Sequence, residues 1–160
     1  MTPQFDFVHD IQESYRCMVS ALSRPGDLQN VHEAGSRGTS LSSLPGPLLV
    51  TALALLDGET TFALLPEGDA KAAEVARELA QLTYARPVVP EEAAYLIARI
   101  GALAAAIEAA PAGTLQAPHK GGTILAEVEH LSSDTEDAPK PGCEIELAGP
   151  GIRTTRRVRV

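Results

Sequence analysis

FVHDIQESYRCMVSALSRPG, residues 7–26, is the segment of this chain with the densest regular pattern. Its apolar residues recur at intervals of three and four, the period of an amphipathic helix with one buried stripe; they are Val8, Ile11, Tyr15, Met18, Val19 and Leu22. The helix is predicted to end at Arg24-Pro25-Gly26, because proline disfavours the helical conformation in the residue before it and glycine can adopt a left-handed one. Between the apolar residues lie Asp10, Gln12 and Arg16, which we expect to reach neighbouring helices or another subunit.

The length and composition limit the classes of protein to which this chain can belong. With 160 residues, of which 44% are hydrophobic, the chain is expected to fold as one domain over residues 1–160. A net charge of -8 argues against general nucleic-acid binding, which needs a positive field. The longest apolar run, 48–56, is too short to span a bilayer, and the acidic start does not fit a secretory signal. We therefore expect a cytoplasmic protein without a membrane segment, in which Cys17 and Cys143 are reduced core residues.

Helical and strand patterns alternate along the rest of the chain. They predict helices at 48–56, 70–82 and 101–110, and strands at 28–32, 60–65, 94–98, 123–131 and 143–147. Segment 94–98 fits either state by propensity, and its shortness favours a strand. Residues 35–43 and 86–92 are predicted to be loops, and Gly68-Asp69 is predicted to cap the second of these helices. The pattern is typical of an α/β fold with a mixed sheet flanked by helices.

The last two predicted strands, 123–131 and 143–147, alternate in a matching way. They are expected to form a hairpin that is covered on one side only, because one face is acidic; the acids are Glu127, Glu129, Glu144 and Glu146. The chain then ends in a locally basic tail with Arg153, Arg156, Arg157 and Arg159. Such a tail could contact phosphates or an acidic partner, but an exposed strand or a ragged end is the favoured interpretation.

The residues that could carry chemistry do not form a recognisable site. The four histidines, His9, His32, His119 and His130, lack metal-ligand spacing, so solvated or core histidines are favoured. Gly121-Gly122-Thr123 and Gly149-Pro150-Gly151 could cradle a phosphate but match no nucleotide fingerprint, and turns are the better interpretation. No Gly-x-Ser-x-Gly sequence indicates a hydrolase. From residue chemistry alone the prediction is a soluble α/β domain with no catalytic, cofactor or metal residues.

A second hypothesis uses the cations. Arg16, Arg24 and the arginine tail could clamp an anion, because guanidinium groups bind phosphate in a bidentate manner. The chain would then be a stand-alone binding protein or enzyme for a phosphorylated small molecule.

Several short motifs follow one another in a defined order. The first segment contains V-x-D-x-Q-x-x-Y-R and then A-x-S-x-P-G, formed by Val8, Asp10, Gln12, Tyr15, Arg16, Ala21, Ser23, Pro25 and Gly26. Further motifs are Leu55-Leu56-Asp57, Ala112-Gly113-Thr114, Gly122-Thr123-Ile124 and the run from Leu147 to Ile152, LAGPGI. In this order they resemble the PhnH family, whose members are components of the bacterial carbon-phosphorus lyase system for phosphonate breakdown. Members of that family continue beyond the last motif, so this chain is expected to be either a version shortened at its C-terminus or one with its interior deleted.

The resemblance implies a fold similar to pyridoxal-phosphate-dependent transferases, without that cofactor. It also implies a homodimer in isolation and an assembly with the G, I and J subunits. Together with the G, I and L proteins, such a protein is needed to make ribose 1-alkylphosphonate 5-triphosphate from ATP and an alkylphosphonate, and the chemistry is assigned to the I subunit. An accessory, non-catalytic subunit is therefore expected, whose candidate interface residues are Asp10, Gln12, Tyr15, Arg16, Arg24, Pro25 and Gly26. A pyridoxal enzyme using Lys120 is a more distant alternative.

Overall fold

A parallel four-stranded sheet forms the centre of the structure, a computed structural model that describes residues 4–66, 70–133 and 142–160. Its strands are β1 (Thr61–Leu65), β2 (Arg86–Pro87), β3 (Tyr95–Ala98) and β4 (Thr123–Ala126), in the spatial order β2-β1-β3-β4. Every neighbouring pair is parallel. The α/β class and the strands at 60–65 and 94–98 are confirmed, whereas the prediction that this sheet is mixed is wrong.

Within the described ranges, five helices surround the sheet: α1 (His9–Ser23), α2 (His32–Gly38), α3 (Gly46–Leu55), α4 (Ala70–Thr83) and α5 (Leu103–Ala109). Short 3-10 turns lie at Pro90–Glu92 and Pro118–Lys120. The helices predicted at 48–56, 70–82 and 101–110 are confirmed as α3, α4 and α5. The cap predicted at Gly68-Asp69 lies outside the described residues.

The core lies in two apolar layers, one on each face of the sheet. Phe62, Leu64 and Ile97 face one layer, which contains side chains of α3 and α4 such as Leu49 and Leu79. The alternate strand residues face a second layer with α5, formed by Ala63, Leu65, Leu96, Ala98, Ala102 and Ala106. Strands buried on both faces are apolar throughout, which is the pattern of a parallel sheet covered by helices. Helices α1 and α2 pack against α3, on the side of the first layer.

Helix α2 corrects two predictions, since a strand was expected at 28–32 and a surface loop at 35–43. Its sequence, HEAGSRG, contains two glycines and has weak helix propensity. The helix is instead stabilised by packing: Gly35 is buried against α3, and a Cβ atom at this position would lie 2.7 Å from the carbonyl carbon of Gly46. Tertiary contact through a pair of glycines thus overrides local propensity.

The C-terminal region forms a separate antiparallel sheet, which corrects the predicted hairpin. Strands β5 (Ser132–Ser133), β6 (Glu144–Leu147) and β7 (Arg156–Arg159) lie in the order β5-β7-β6. The partner of β6 is the arginine tail, with Glu144 opposite Arg159 and Glu146 opposite Arg157. Alternation had identified a strand at 143–147 but not its partner, which complementary charge across the strands favours.

Three smaller corrections follow from the same structure. The loop predicted at 86–92 contains β2 and a 3-10 turn. Glu127 is not on a solvated face, since its side chain is 16% exposed and pairs with Arg99. Cys17 and Cys143 are free thiols, but Cys17 is only half-buried and Cys143 is exposed, so neither is a core residue.

No described helix combines the length and apolar character that crossing a membrane requires.

Candidate functional site

Helix α1 presents an apolar stripe to solvent. Val8, Tyr15, Val19 and Leu22 are separated by seven, four and three residues and therefore share one face. Their exposed fractions are 70%, 52%, 48% and 80%. These four residues are called the α1 stripe below. The predicted helix is confirmed, and the prediction of one buried stripe is wrong for these four residues; of the other two, Ile11 is partly buried and packs against the core, and Met18 is partly buried.

The side of α1 that faces the protein contains two buried polar residues. Asp10 is 4% exposed and Ser14 is 1% exposed. Asp10 Oδ1 accepts hydrogen bonds from Arg37 of α2, from Nε at 3.0 Å and from Nη2 at 2.6 Å. Its Oδ2 accepts the backbone N–H of Asp6 at 2.9 Å, and Ser14 Oγ donates to the Asp10 carbonyl at 2.8 Å. An ion pair between α1 and α2 therefore attaches the side of α1 that contains Asp10 and Ser14 to the protein.

The electrostatics of this pair favour the charged forms of both groups. The hydrogen bond from Arg37 lowers the pKa of Asp10, and this effect exceeds the opposing effect of burial. The same bond raises the pKa of Arg37. Glu13 and Glu33 add exposed carboxylates at 3.6 and 4.0 Å from the guanidinium. The hydrogen bond between the two groups therefore favours the carboxylate of Asp10 and the guanidinium of Arg37 together.

A second carboxylate caps the start of α1. Asp6 Oδ1 accepts the backbone N–H groups of Val8 and His9, at 2.8 and 2.9 Å. The backbone hydrogen bond from His9 is the main reason that the pKa of Asp6 is lowered to about 2. The two carboxylates thus order the entry into α1, next to the first residue of the stripe.

The remaining predicted interface residues lie at different places along α1. Gln12 and Arg16 are exposed on the helix, and Tyr15 belongs to the stripe. At the other end, the Arg24 carbonyl accepts the N–H of Asp27 at 3.0 Å in a turn that needs Gly26 at φ +94°. The seven predicted residues therefore do not form one cluster: Asp10 is internal, Gln12, Tyr15 and Arg16 are exposed, and residues 24–26 form the turn.

The turn after α1 connects the helix to the second sheet. A Cβ atom at Gly26 would lie 2.8 Å from the Cβ of Arg156 in β7, which leaves room only for glycine. Arg156 Nη2 pairs with Asp27 at 3.3 Å. The end of α1 and the arginine tail are thus in direct contact.

The cations proposed for an anion clamp are either paired or far apart. Arg159 pairs with Glu144 at 3.0 Å, and Arg157 lies 3.6 Å from the same residue. Arg16 lies on α1 and Arg24 directly follows that helix, eight residues later, which corresponds to about 12 Å along a helix axis. This geometry speaks against a clamp built from these arginines.

The arrangement around α1 combines an exposed apolar face with a buried ion pair. Among residues 4–66, 70–133 and 142–160, no three His, Cys, Asp or Glu side chains are placed to hold a metal ion. The sequence reasoning missed Arg37, because its partner Asp10 is 27 residues away and no local pattern links the two. Asp10 is the residue in the sequence that could have indicated that the stripe is exposed. It lies between apolar residues, and if it faces inward its carboxylate needs a buried cation.

Comparison with known protein families relates the whole chain to one family model. The sequence profile of the family described as "Bacterial phosphonate metabolism protein (PhnH)" matches residues 3–160, essentially the whole chain. No curated protein matches the sequence.

Proposed function

The chain belongs to the PhnH family of bacterial phosphonate metabolism proteins, and from that premise we propose that it is an accessory subunit of the carbon-phosphorus lyase assembly. In this role it binds the other subunits, G, I and J, and contributes surface rather than catalytic groups. The assembly converts ATP and an alkylphosphonate to ribose 1-alkylphosphonate 5-triphosphate, with the reacting groups on another subunit.

The observation that carries this proposal is the α1 stripe. Four large apolar side chains on one helix face are exposed, and burial of apolar surface contributes about 25 cal/mol per Å². A contiguous apolar face on a helix is typical of a site that binds a partner. The same helix contains most of the motif by which the chain resembles its family, so we assign the face to a partner subunit of that assembly.

The polar residues beside the stripe suit the edge of such an interface. Arg16 and Gln12 are exposed and lie one helical turn from the stripe residues Val19 and Tyr15. Arginine is enriched in protein interfaces, and polar groups surround their apolar centres. Arg16 has no ion-pair partner in the described part of the chain, so its guanidinium is available to a carboxylate of the partner.

Two finer features belong to the same proposal. In the isolated protein, the stripe of one copy packs on the stripe of a second copy, which gives a homodimer that exchanges for the partner subunit. The domain also shares the fold of pyridoxal-phosphate-dependent transferases without the cofactor. Addition of pyridoxal phosphate should then give no Schiff-base absorbance at Lys120 or any other lysine.

Co-purification tests the proposal. The chain is co-expressed with the G, I and J subunits, and the assembly is isolated through a tag on another subunit. The variant Val19→Glu places a charge in the stripe, and Ile107→Glu places the same charge on α5, where the side chain is 60% exposed. We expect the wild type and Ile107→Glu to co-purify and Val19→Glu to be lost, with all three chains equally stable. Loss of neither variant, or failure of the wild type to join the assembly, would contradict the proposal.

A further inference from the structure

The strand order of the parallel sheet marks a position where ligands bind in this class of fold. The chain passes from β1 to β2 on one side and then returns to β3 on the other side of β1. Helix α4, which joins β1 to β2, and helix α5, which follows β3, lie on opposite faces. In open α/β sheets, ligands bind outside the carboxyl ends of the strands at the point where the order reverses. Here that point is between β1 and β3.

A cavity of about 450 Å³ lies at this point. The end of β1 lines it with Leu64, Leu65 and Pro66, and α4 contributes Lys71, Ala72, Glu74 and Val75. Arg99, the first residue after β3, and Ser43 complete the lining. The volume is in the range of small-molecule sites, and the combination of apolar walls with a few polar groups is typical of them.

Arg99 is held in place at this end of the sheet. Its backbone N–H donates to the Leu65 carbonyl at 3.0 Å, which continues the pairing of β3 with β1. Its side-chain Nε donates to the carboxylate of Glu127, the residue that follows β4. One of the five guanidinium donors is thus used to orient the group, and within the part of the chain that the structure describes the Nη groups form no ion pair, so they remain for a ligand. Arg99 therefore has the fixed orientation that bidentate binding of an oxyanion needs.

We propose that this cavity binds a small organic molecule that carries a phosphate or phosphonate group. The tetrahedral anion is bound by the Nη groups of Arg99 and by the Ser43 hydroxyl, which donates a further hydrogen bond, and the Lys71 ammonium adds positive charge to the same lining. The apolar walls formed by Leu64, Leu65 and Val75 contact the organic part. This site is distinct from the α1 stripe and uses none of the arginines that the sequence suggested for an anion clamp.

Titration of the full chain with glycerol 3-phosphate and with methylphosphonate tests this site. Isothermal calorimetry and thermal shift are measured with sodium chloride at matched ionic strength as the control. The test variants are Lys71→Gln and Arg99→Lys, the latter keeping a cation beside Glu127. Arg77→Gln is the matched control, because Arg77 is an exposed cation on the same helix outside the cavity.

We expect saturable binding of at least one ligand, weakened about tenfold or more in both test variants, since charge-assisted bidentate bonds are among the strongest. Arg77→Gln should bind within about twofold of the wild type, as expected for a screened surface charge. Binding of both glycerol 3-phosphate and methylphosphonate means that the site recognises the tetrahedral anion itself. Binding of only one shows whether the site takes a phosphate ester or a phosphonate. Absence of saturable binding up to about 10 mM, or equal weakening in all three variants, would overturn the proposal. Lys71→Gln should still co-purify with the other subunits, so the result is separate from the fate of the α1 interface.

Discussion

Replacement of Asp10 by alanine removes the carboxylate that attaches α1 to α2. Breaking a fully buried ion pair from one side costs about 3–5 kcal/mol. The cost here is lower, because the Arg37 side chain is 21% exposed and keeps the carboxylates of Glu13 and Glu33 nearby. The variant also leaves the backbone N–H of Asp6 without its acceptor. We therefore expect a loss of about 2–3 kcal/mol in the free energy of unfolding.

Urea denaturation followed by circular dichroism measures this loss, and a thermal melt should show a midpoint lowered by about 5–10 °C. Glu13→Gln is the control: it removes a negative charge from the same helix at 3.6 Å from the same guanidinium, but the carboxylate is exposed. It should cost less than about 0.5 kcal/mol. A loss below that value for Asp10→Ala would refute the conclusion that the ion pair positions α1.

The difference in the free energy of unfolding between wild type and Asp10→Ala should depend on pH in a definite direction. The pKa of Asp10 is lowered in the folded protein, so the stability that its ionisation contributes is present above the pKa of the unfolded chain, near 3.9. That contribution is lost as the pH falls through the lower, folded pKa. The gap between wild type and Asp10→Ala should therefore be constant above about pH 5 and shrink in more acidic solution. A gap that widens on acidification would contradict this assignment.

Three further variants test other contacts by thermal melts and co-purification. Gly35→Ala should cost about 1–3 kcal/mol, because the new Cβ would lie 2.7 Å from the Gly46 carbonyl carbon, and a neutral result would mean that α2 and α3 can separate. Gly26→Ala should lower the free energy of unfolding by about 1–2 kcal/mol, because φ is +94° and Arg156 occupies the space that a Cβ would need. Unchanged stability would contradict the close contact between this turn and β7. Arg16→Ala should leave the melting temperature within about 1 °C of wild type and weaken binding to the other subunits about threefold or more. A large loss of stability with normal assembly would reverse the role given to Arg16.

The elements with strong local patterns could be predicted from the sequence. Helix α3 is apolar on every side and begins with Pro47 in its first turn, and β1 and β3 are short apolar runs between turn residues. These signals are local, so no tertiary information was needed. The match to the family also followed from short motifs in a fixed order.

What could not be predicted depends on contacts between distant residues. The period of α1 showed a helix with an apolar stripe, but the side that is buried depends on the Asp10–Arg37 pair and on packing against α3. Helix α2 forms in a sequence with two glycines because Gly35 permits close approach to α3. The partner of β6 was equally hidden, since alternation is the same for a strand that pairs with β4 or with the arginine tail.

The cavity at the end of the sheet illustrates the same limit. Arg99 comes directly after an apolar strand, which is a local sign of a residue at the carboxyl edge of a sheet. Its proximity to Lys71 follows only from the order of the strands, which the sequence does not reveal.

Photo-crosslinking from the α1 stripe tests the central claim most directly. A photoreactive phenylalanine analogue replaces Tyr15, which is 52% exposed in the stripe, or Ile107 as the control on α5. Each variant is irradiated within the assembly of G, I and J subunits, and the crosslinked peptides are identified by mass spectrometry. An accessory subunit that binds through the α1 stripe should give crosslinks to another subunit from position 15 and none from position 107. Crosslinks from position 107 alone would contradict it.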